Sequence, residues 1–276
     1  MSRVGLKLLF CVLWVCVVAA EGGAQRVSGR AINARASAKS LLVVTVTKGF
    51  RHRSIPTAER VIRELGQQNG WRVDFARTDE ELRQKTARQQ LALYDGVIFA
   101  NTTGELPLAD REDFLRWINE GHAFIGIHAA SDTFNKGVFP PYIEMLGGEF
   151  NGHDRPMSVT LRVEDRTHPA TRHLSERFAV FDEIYRICNF DRRAAHVLLA
   201  VDFDPVSKEP GYHPLAWTKL YGKGRVFYTA FGHHDEVLQA DWFRQHLRGG
   251  IKWALGEERA SSAPQFHGKD GRIACK

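Results

Sequence analysis

Apolar positions along the chain fall into short blocks that switch between two periods. Leu41 to Thr47 is a continuous, β-branched apolar run, the pattern of a buried parallel strand. Ser54 and Pro56 then open a helix that carries Ala58, Val61, Ile62 and Leu65 on one face and stops at Gly70. Trp71 to Ala76 alternates as a second strand. Asp95-Gly96 leads into a third, Val97 to Ala100, followed by the loop Asn101-Thr102-Thr103-Gly104-Glu105. A helix from Arg111 to Asn119 buries Phe114, Leu115 and Ile118 and ends at Gly121, and a fourth strand, Ala123 to Ile127, delivers His128. Strands alternating with helices in this way predict an α/β fold, with a parallel core sheet and helices on both faces. Functional loops then gather at the C-terminal ends of the strands, where His52, Asn101, Thr102 and His128 stand.

The pattern changes at Gly147. Gly147 to Asp154 reads as a glycine-rich loop, and Met157 to Val163 alternates like an antiparallel strand. His168-Pro169 marks a turn. Phe178 to Ile187 reads as one apolar strand interrupted by Asp182-Glu183. Val197 to Ala200 and Leu215 to Leu220 are further strands, and Tyr221 to Arg225 is a tight hairpin. Val226 to Ala230 runs into Phe231-Gly232-His233-His234-Asp235, and Trp242, Phe243, Leu247 and Ile251 stripe a closing helix. There is no repeat of solenoid period and no second boundary, so one domain spanning 41–256 is expected, with antiparallel additions in its C-terminal half.

The ends alter this picture in several ways. Residues 1–20 combine Arg3 and Lys7, an apolar run from Leu8 to Val18 and a small-residue Val18-Ala19-Ala20 site, which reads as a signal peptide. The run is too short for a good membrane span, so no stable membrane insertion is expected after cleavage, and the mature chain is expected to be exported, periplasmic or extracellular. Residues 21–40 read as a linker and 257–276 as a flexible tail. The formal charge of +6 belongs to these flanks: with them removed, residues 41–256 carry no net charge. That argues against a nucleic-acid partner. Cys11 and Cys16 leave with the signal, and a Cys188–Cys275 bridge is conceivable but unsupported by any spacing pattern.

An apolar strand ending in a histidine and then Ala129-Ala130-Ser131-Asp132 has the form of a strand-to-helix elbow. Such an elbow elsewhere carries a nucleophile; here it presents an imidazole. Three stretches pair histidine with a carboxylate: His128 with Asp132, His153 with Asp154, and His233-His234 with Asp235. His52 is a fourth candidate. Imidazole is both a metal ligand and a base near neutral pH, and carboxylates orient it or complete a coordination shell. No contiguous metal signature is present, and 12 histidines leave room for chance, so each alone is as readily a core or cap residue. Asp182-Glu183 inside an apolar strand should place one carboxylate toward the core or a cleft, either orienting a histidine or pairing with an arginine such as Arg186. Asn101, Thr102 and Gly104 offer an amide, a hydroxyl and a close-approach glycine for a polar ligand, although an ordinary turn accounts for them equally. Phe50, Phe134, Tyr142, Tyr185, Trp217 and Phe231 lie near these segments, as the faces of a sugar would require or as plain core.

Taken together, Gly49-Phe50-Arg51-His52, Thr103-Gly104, Gly126 to Asp132, Leu146 to Phe150 with His153, His168-Pro169, Asp182-Glu183-Ile184-Tyr185, Pro214 to Trp217, Tyr221 to Tyr228 and Gly232-His233 resemble the ThuA-like (trehalose utilisation) family. The resemblance runs in order from about Leu41 to Gly256. It departs at Ile184, where an aromatic would be expected. It implies a flavodoxin-like, class I glutamine amidotransferase-like fold, without amidotransferase activity: His128 stands at the elbow position of the nucleophilic cysteine, so acyl-enzyme chemistry there lacks its thiolate. It also implies carbohydrate utilisation. The resulting expectation is metal-assisted hydrolysis or isomerisation of a keto-glycoside. His128, His233 and Asp132 would be catalytic, His128, His153 and His233 would hold a divalent metal such as Zn²⁺, and His52, Asn101, Thr102, Gly104, Asp182, Glu183 and Tyr185 would bind substrate. The alternative is a sugar-binding protein without catalysis on a degenerate enzyme fold. The partner expected is a small-molecule carbohydrate, with no nucleotide cofactor and with self-association to a homo-oligomer left open.

Overall fold

The computed structural model describes residues 38–275 and Met1. The segment read as a signal peptide, Met1 apart, and nearly all of the linker lie outside the described residues. Strands β1 (Ser40–Val44), β2 (Arg72–Ala76), β3 (Gly96–Ala100) and β4 (Ala123–Ile127) are parallel neighbours in the order β2-β1-β3-β4. Every residue of β1, β3 and β4 is buried, as continuous apolar runs covered on both faces must be. Helices α1 (Ile55–Asn69), α2 (Asp79–Thr86), α3 (Arg88–Leu91) and α4 (Arg111–Asn119) make the crossovers. α1 begins beside Pro56 and ends on Gly70 in the left-handed conformation (φ 72°), where a residue without Cβ bears no steric cost. α2 is held by a capping box between Thr78 and Glu81.

After β4 come a 3₁₀ turn (His128–Asp132), α5 (Pro140–Leu146) and a run of antiparallel strands: β5 (Glu149–His153), β6 (Met157–Val163), β7 (Arg177–Asp182), β8 (Tyr185–Cys188), β9 (Phe190–Asp191), β10 (His196–Phe203) and β11 (Pro210–Tyr221). A hairpin turn through Gly222 then sends β12 (Gly224–Thr229) back beside β4, parallel to it. The result is a nine-stranded sheet, β2-β1-β3-β4-β12-β11-β10-β6-β7, half parallel and half antiparallel. α6 (Asp235–Gln239) and α7 (Asp241–Ala254) close the chain over it. α7 approaches so closely that a Cβ on Gly250 would lie 2.3 Å from the Phe227 ring.

Three expectations are corrected. Phe178 to Ile187 is not one strand: β7 ends at Asp182 on the edge of the large sheet, and β8 starts at Tyr185 and pairs with β5 instead. The break falls on Glu183 and Ile184, where the chain changes sheets. The glycine-rich loop at 147–154 is mostly β5. Finally, the tail is not free. β13 (Arg272–Ile273) pairs with β9, the backbone carbonyl of Ala263 meets His196 Nδ1 at 2.7 Å, and Cys275 forms a disulfide with Cys188.

Candidate functional site

Four loops leave the C-terminal ends of β1, β3, β4 and β12 on one edge of the sheet, and their sequences decide what they present. His128 opens the turn after β4 with φ 49°, a left-handed conformation that costs a residue with a Cβ about 1–3 kcal/mol. Its neighbours hold it there. Tyr228 Oη donates to the His128 carbonyl at 2.8 Å, the Tyr185 ring stacks on the imidazole at 4.2 Å, and His128 Nδ1 lies 2.7 Å from the Ala230 carbonyl. A carbonyl only accepts, so Nδ1 carries the proton and donates. Nε2 is left buried without a hydrogen-bond partner, 3.5 Å from Glu183 Oε2.

His233 follows β12 in a loop clamped from three directions. Asp182 Oδ2 accepts from the Gly232 amide at 2.9 Å and Oδ1 from the His234 amide at 3.3 Å. The Gly232 carbonyl accepts from Ser54 Oγ at 3.1 Å and from Asn101 Nδ2 at 3.0 Å. So placed, His233 Nδ1 sits 3.0 Å from Glu183 Oε2, though off the line a hydrogen bond needs. His52, from the loop after β1, is buried with Nδ1 unpartnered, and its ring stands edge-on to His128 at 4.8 Å and to His233 at 5.3 Å. His153 stands outside this group, half-exposed at the end of β5, with Nδ1 3.2 Å from Glu183 Oε1.

The electrostatics follow from this crowding. Burial, then the neighbouring His128 and His233, push the His52 pKa down to about 3, so its ring is neutral. Burial works against charge on Glu183, but its contacts with His128 and His233 outweigh that and hold its carboxyl below the usual carboxylate range. The Glu183 carboxylate in turn raises His233. Burial also raises the Asp132 carboxyl, even though Asn135 Nδ2 donates to it at 2.6 Å.

His52, His128, Glu183 and His233 can each offer a ligand atom within 4.8 Å of the others. Two ligands at roughly 2.1 Å from one tetrahedral ion lie about 3.4 Å apart, close to the 3.5 Å and 3.0 Å that separate Glu183 from His128 and His233. Three imidazoles, each keeping a buried nitrogen without a partner and each offering a ligand atom within 4.8 Å of the others and of Glu183, therefore fit a divalent cation. The Ala230 carbonyl, by accepting from Nδ1, fixes the His128 tautomer and orients the ring. The set differs from the expected His128, His153 and His233: His52 and Glu183 join it, and His153 contacts only the outer oxygen of Glu183.

A cavity of about 220 Å³ opens on this cluster, lined by His52, Asp132, His153, Glu183, Tyr185 and His233 together with the rings of Phe50 and Phe150. Several expected binding residues do not reach it. Asn101 is buried and donates to Ser54 and Gly232, Thr102 Oγ1 is bonded to Thr133 Oγ1 at 2.7 Å, and Gly104 packs against the backbone of Lys48 and Gly49. Their polar atoms join the loops to one another. Asp182, wholly buried, serves the His233 loop, and Arg186 pairs with neither carboxylate but donates to the Asn151 carbonyl. Of the aromatics, Phe50 and Tyr185 line the cavity, while Phe134, Tyr142, Trp217 and Phe231 are core. Ile184 is buried and forms no part of the lining. Phe150 lies outside the aromatics expected at the cleft, and no local pattern marks it, since β5 reads Glu-Phe-Asn-Gly-His with Phe150 as its one large apolar side chain.

A family profile described as ThuA, trehalose utilisation, matches residues 40–254. No curated protein matches the chain. Among solved structures, a putative ThuA-like protein from Bacteroides uniformis is 23% identical, with a TM-score of 0.64 over 82% of this chain and 94% of that one. One from Parabacteroides merdae is 19% identical, with a TM-score of 0.66 over 87% and 97%. A beta-galactosidase from Bacillus circulans shares the fold over 85% of this chain and 33% of its own, at 14% identity and a TM-score of 0.51.

Proposed function

The chain belongs to the ThuA family, described as trehalose utilisation, and from that membership we propose that it acts on a carbohydrate at a divalent-metal centre formed by His52, His128, His233 and Glu183. The observation that carries this reading is the convergence of four ligand atoms within 4.8 Å, three of the four residues being imidazoles that each keep a buried nitrogen without a partner. A bound Zn²⁺ or similar ion would polarise a sugar carbonyl or activate a water. The protein's own residues supply the rest. The Ala230 carbonyl holds the proton of His128 on Nδ1, so Nε2 faces the cluster as a lone pair. Asp132, in the cavity wall with its carboxyl raised by burial, is the group suited to take and return a proton. Phe50, Phe150 and Tyr185 offer ring faces to the apolar side of a sugar. The reaction class that fits is hydrolysis or isomerisation of a keto-glycoside.

Metal analysis of purified protein is expected to find about one ion per chain, lost in His128→Ala and in Glu183→Gln. Metal-free protein that turns over a keto-glycoside as fast as loaded protein would sink the metal reading. Saturable sugar binding with no product after long incubation would make the protein a sugar binder instead. Export is part of the same proposal: the Cys188–Cys275 disulfide is of the kind that persists in oxidising compartments, which supports it. Among the described residues, no helix is long and apolar enough to cross a membrane.

A further inference from the structure

The loop that delivers His233 has a second side. A cavity of about 380 Å³ opens there, lined by Phe50, Arg53, His233, His234, Asp235 and Glu236 among others. Phe50 and His233 belong to both cavities, so the two share a wall. Phe50 is 65% exposed, unusual for so large an apolar ring, yet it is held: its ring meets His52 at 4.8 Å and its carbonyl accepts from Thr103 Oγ1 at 2.9 Å. A second exposed ring, Phe181, stacks on His234 at 5.7 Å.

We propose that this second cavity is the subsite for the second ring of a two-ring neutral carbohydrate whose reacting ring occupies the smaller cavity lined by His52, Glu183 and His233. This rests on the carbohydrate reading above and extends it. The inner cavity, at about 220 Å³, is smaller than the roughly 300–1,000 Å³ of sites that enclose a drug-sized ligand, so it takes one ring and leaves the rest of a glycoside outside. The adjoining cavity offers what that remainder needs. Phe50 presents an aromatic face for the C–H side of a pyranose. Arg53 supplies donors and Asp235 and Glu236 supply acceptors, and none of the three forms an ion pair among the described residues, which leaves them open to ring hydroxyls. Two carboxylates against one guanidinium disfavour a phosphorylated or acidic sugar, so the ligand is an uncharged polyol.

The test is calorimetric titration of the full chain with trehalose and with glucose. The expected result is that trehalose binds more tightly than glucose. Arg53→Ala and Glu236→Gln should weaken trehalose binding about tenfold more than glucose binding, the loss of one or two hydrogen bonds to charged groups. Both positions are exposed, so the fold is not at stake. Equal affinity for the two sugars, with both variants shifting them alike, would overturn the second subsite and leave the carbohydrate reading standing. If neither sugar binds, the second subsite is overturned, while the carbohydrate reading is decided separately by keto-glycoside turnover.

Discussion

Asp182 and Glu183 are adjacent acids that do different work, and the difference is set by what each oxygen meets. Glu183 reaches His128, His153 and His233 with its two oxygens, while Asp182 accepts two backbone amides of the loop that carries His233. Asp182 is thus a positioning residue. Asp182→Ala removes the acceptor and leaves the buried Gly232 amide unpaired, which costs about 1–3 kcal/mol, read as a lower urea midpoint. Because the His233 loop loses its anchor, affinity for the proposed metal should also fall about 10–100-fold, the range for residues that hold a metal ligand in place. A variant that unfolds earlier yet binds metal as tightly as the parent would show that the clamp serves stability alone. His128 is the other decisive residue: its left-handed φ and its Nδ1–H bond to Ala230 together aim one nitrogen at one carboxylate.

At the scale of elements, the site depends on a strand that breaks. Had Phe178 to Ile187 continued as one strand, Tyr185 would have stayed at the edge of the large sheet. The change of sheets at Glu183 turns β8 onto β5, and this two-stranded ladder becomes the cavity wall that carries Tyr185, Phe150 and His153. Cys188 ends β8 opposite Glu149, and its disulfide to Cys275 ties this ladder to the C-terminal segment. A bridge spanning 87 residues constrains the unfolded chain strongly. Cys275→Ser, or added reductant, is expected to lower stability by about 2–4 kcal/mol, measured as a drop in melting temperature. An unchanged midpoint in reductant would mean that the strand pairing of β13 and the Ala263 and Gln265 contacts hold the tail by themselves.

For the whole molecule, part of the acid response follows from buried histidines that are not members of the cluster. His246 is fully buried between the Ala170 carbonyl and Thr229, and burial lowers its pKa to about 3; His168, also buried, is lowered to about 4. Both fold as neutral rings, so below the unfolded value of about 6.5 the unfolded chain binds more protons than the folded one. Their contribution is present above pH 6.5 and is lost as pH falls toward 4. At pH 5 each should cost about 2 kcal/mol, so the melting temperature should fall steadily from pH 7 to 5 and less steeply in His246→Gln. A profile that is flat over that interval would contradict the neutral burial of these rings.

The parallel half of the fold was legible because its strands are unbroken apolar runs and its helices carry one apolar stripe each, with Pro56, Gly70 and Gly121 as punctuation. The same local signals placed His52, His128 and His233 at strand ends, and the ordered motifs pointed to the family. Local pattern could not assign Asn101, Thr102 and Gly104, because the same residues suit a ligand or a buried junction, and only the neighbouring loops decide which. Nor could it show that the chain leaves one sheet for another at Glu183, or that Cys275 returns to Cys188 from so far along the sequence. Periodicity is a property of neighbours along the chain, so the order of residues is enough to set the elements and the kinds of group at their ends. The choice of Glu183 over His153 in the cluster and the division of labour between two adjacent acids depend on distances between segments far apart in the chain. Those distances exist only once the sheet has closed and brought the segments together, which no pattern along the chain encodes.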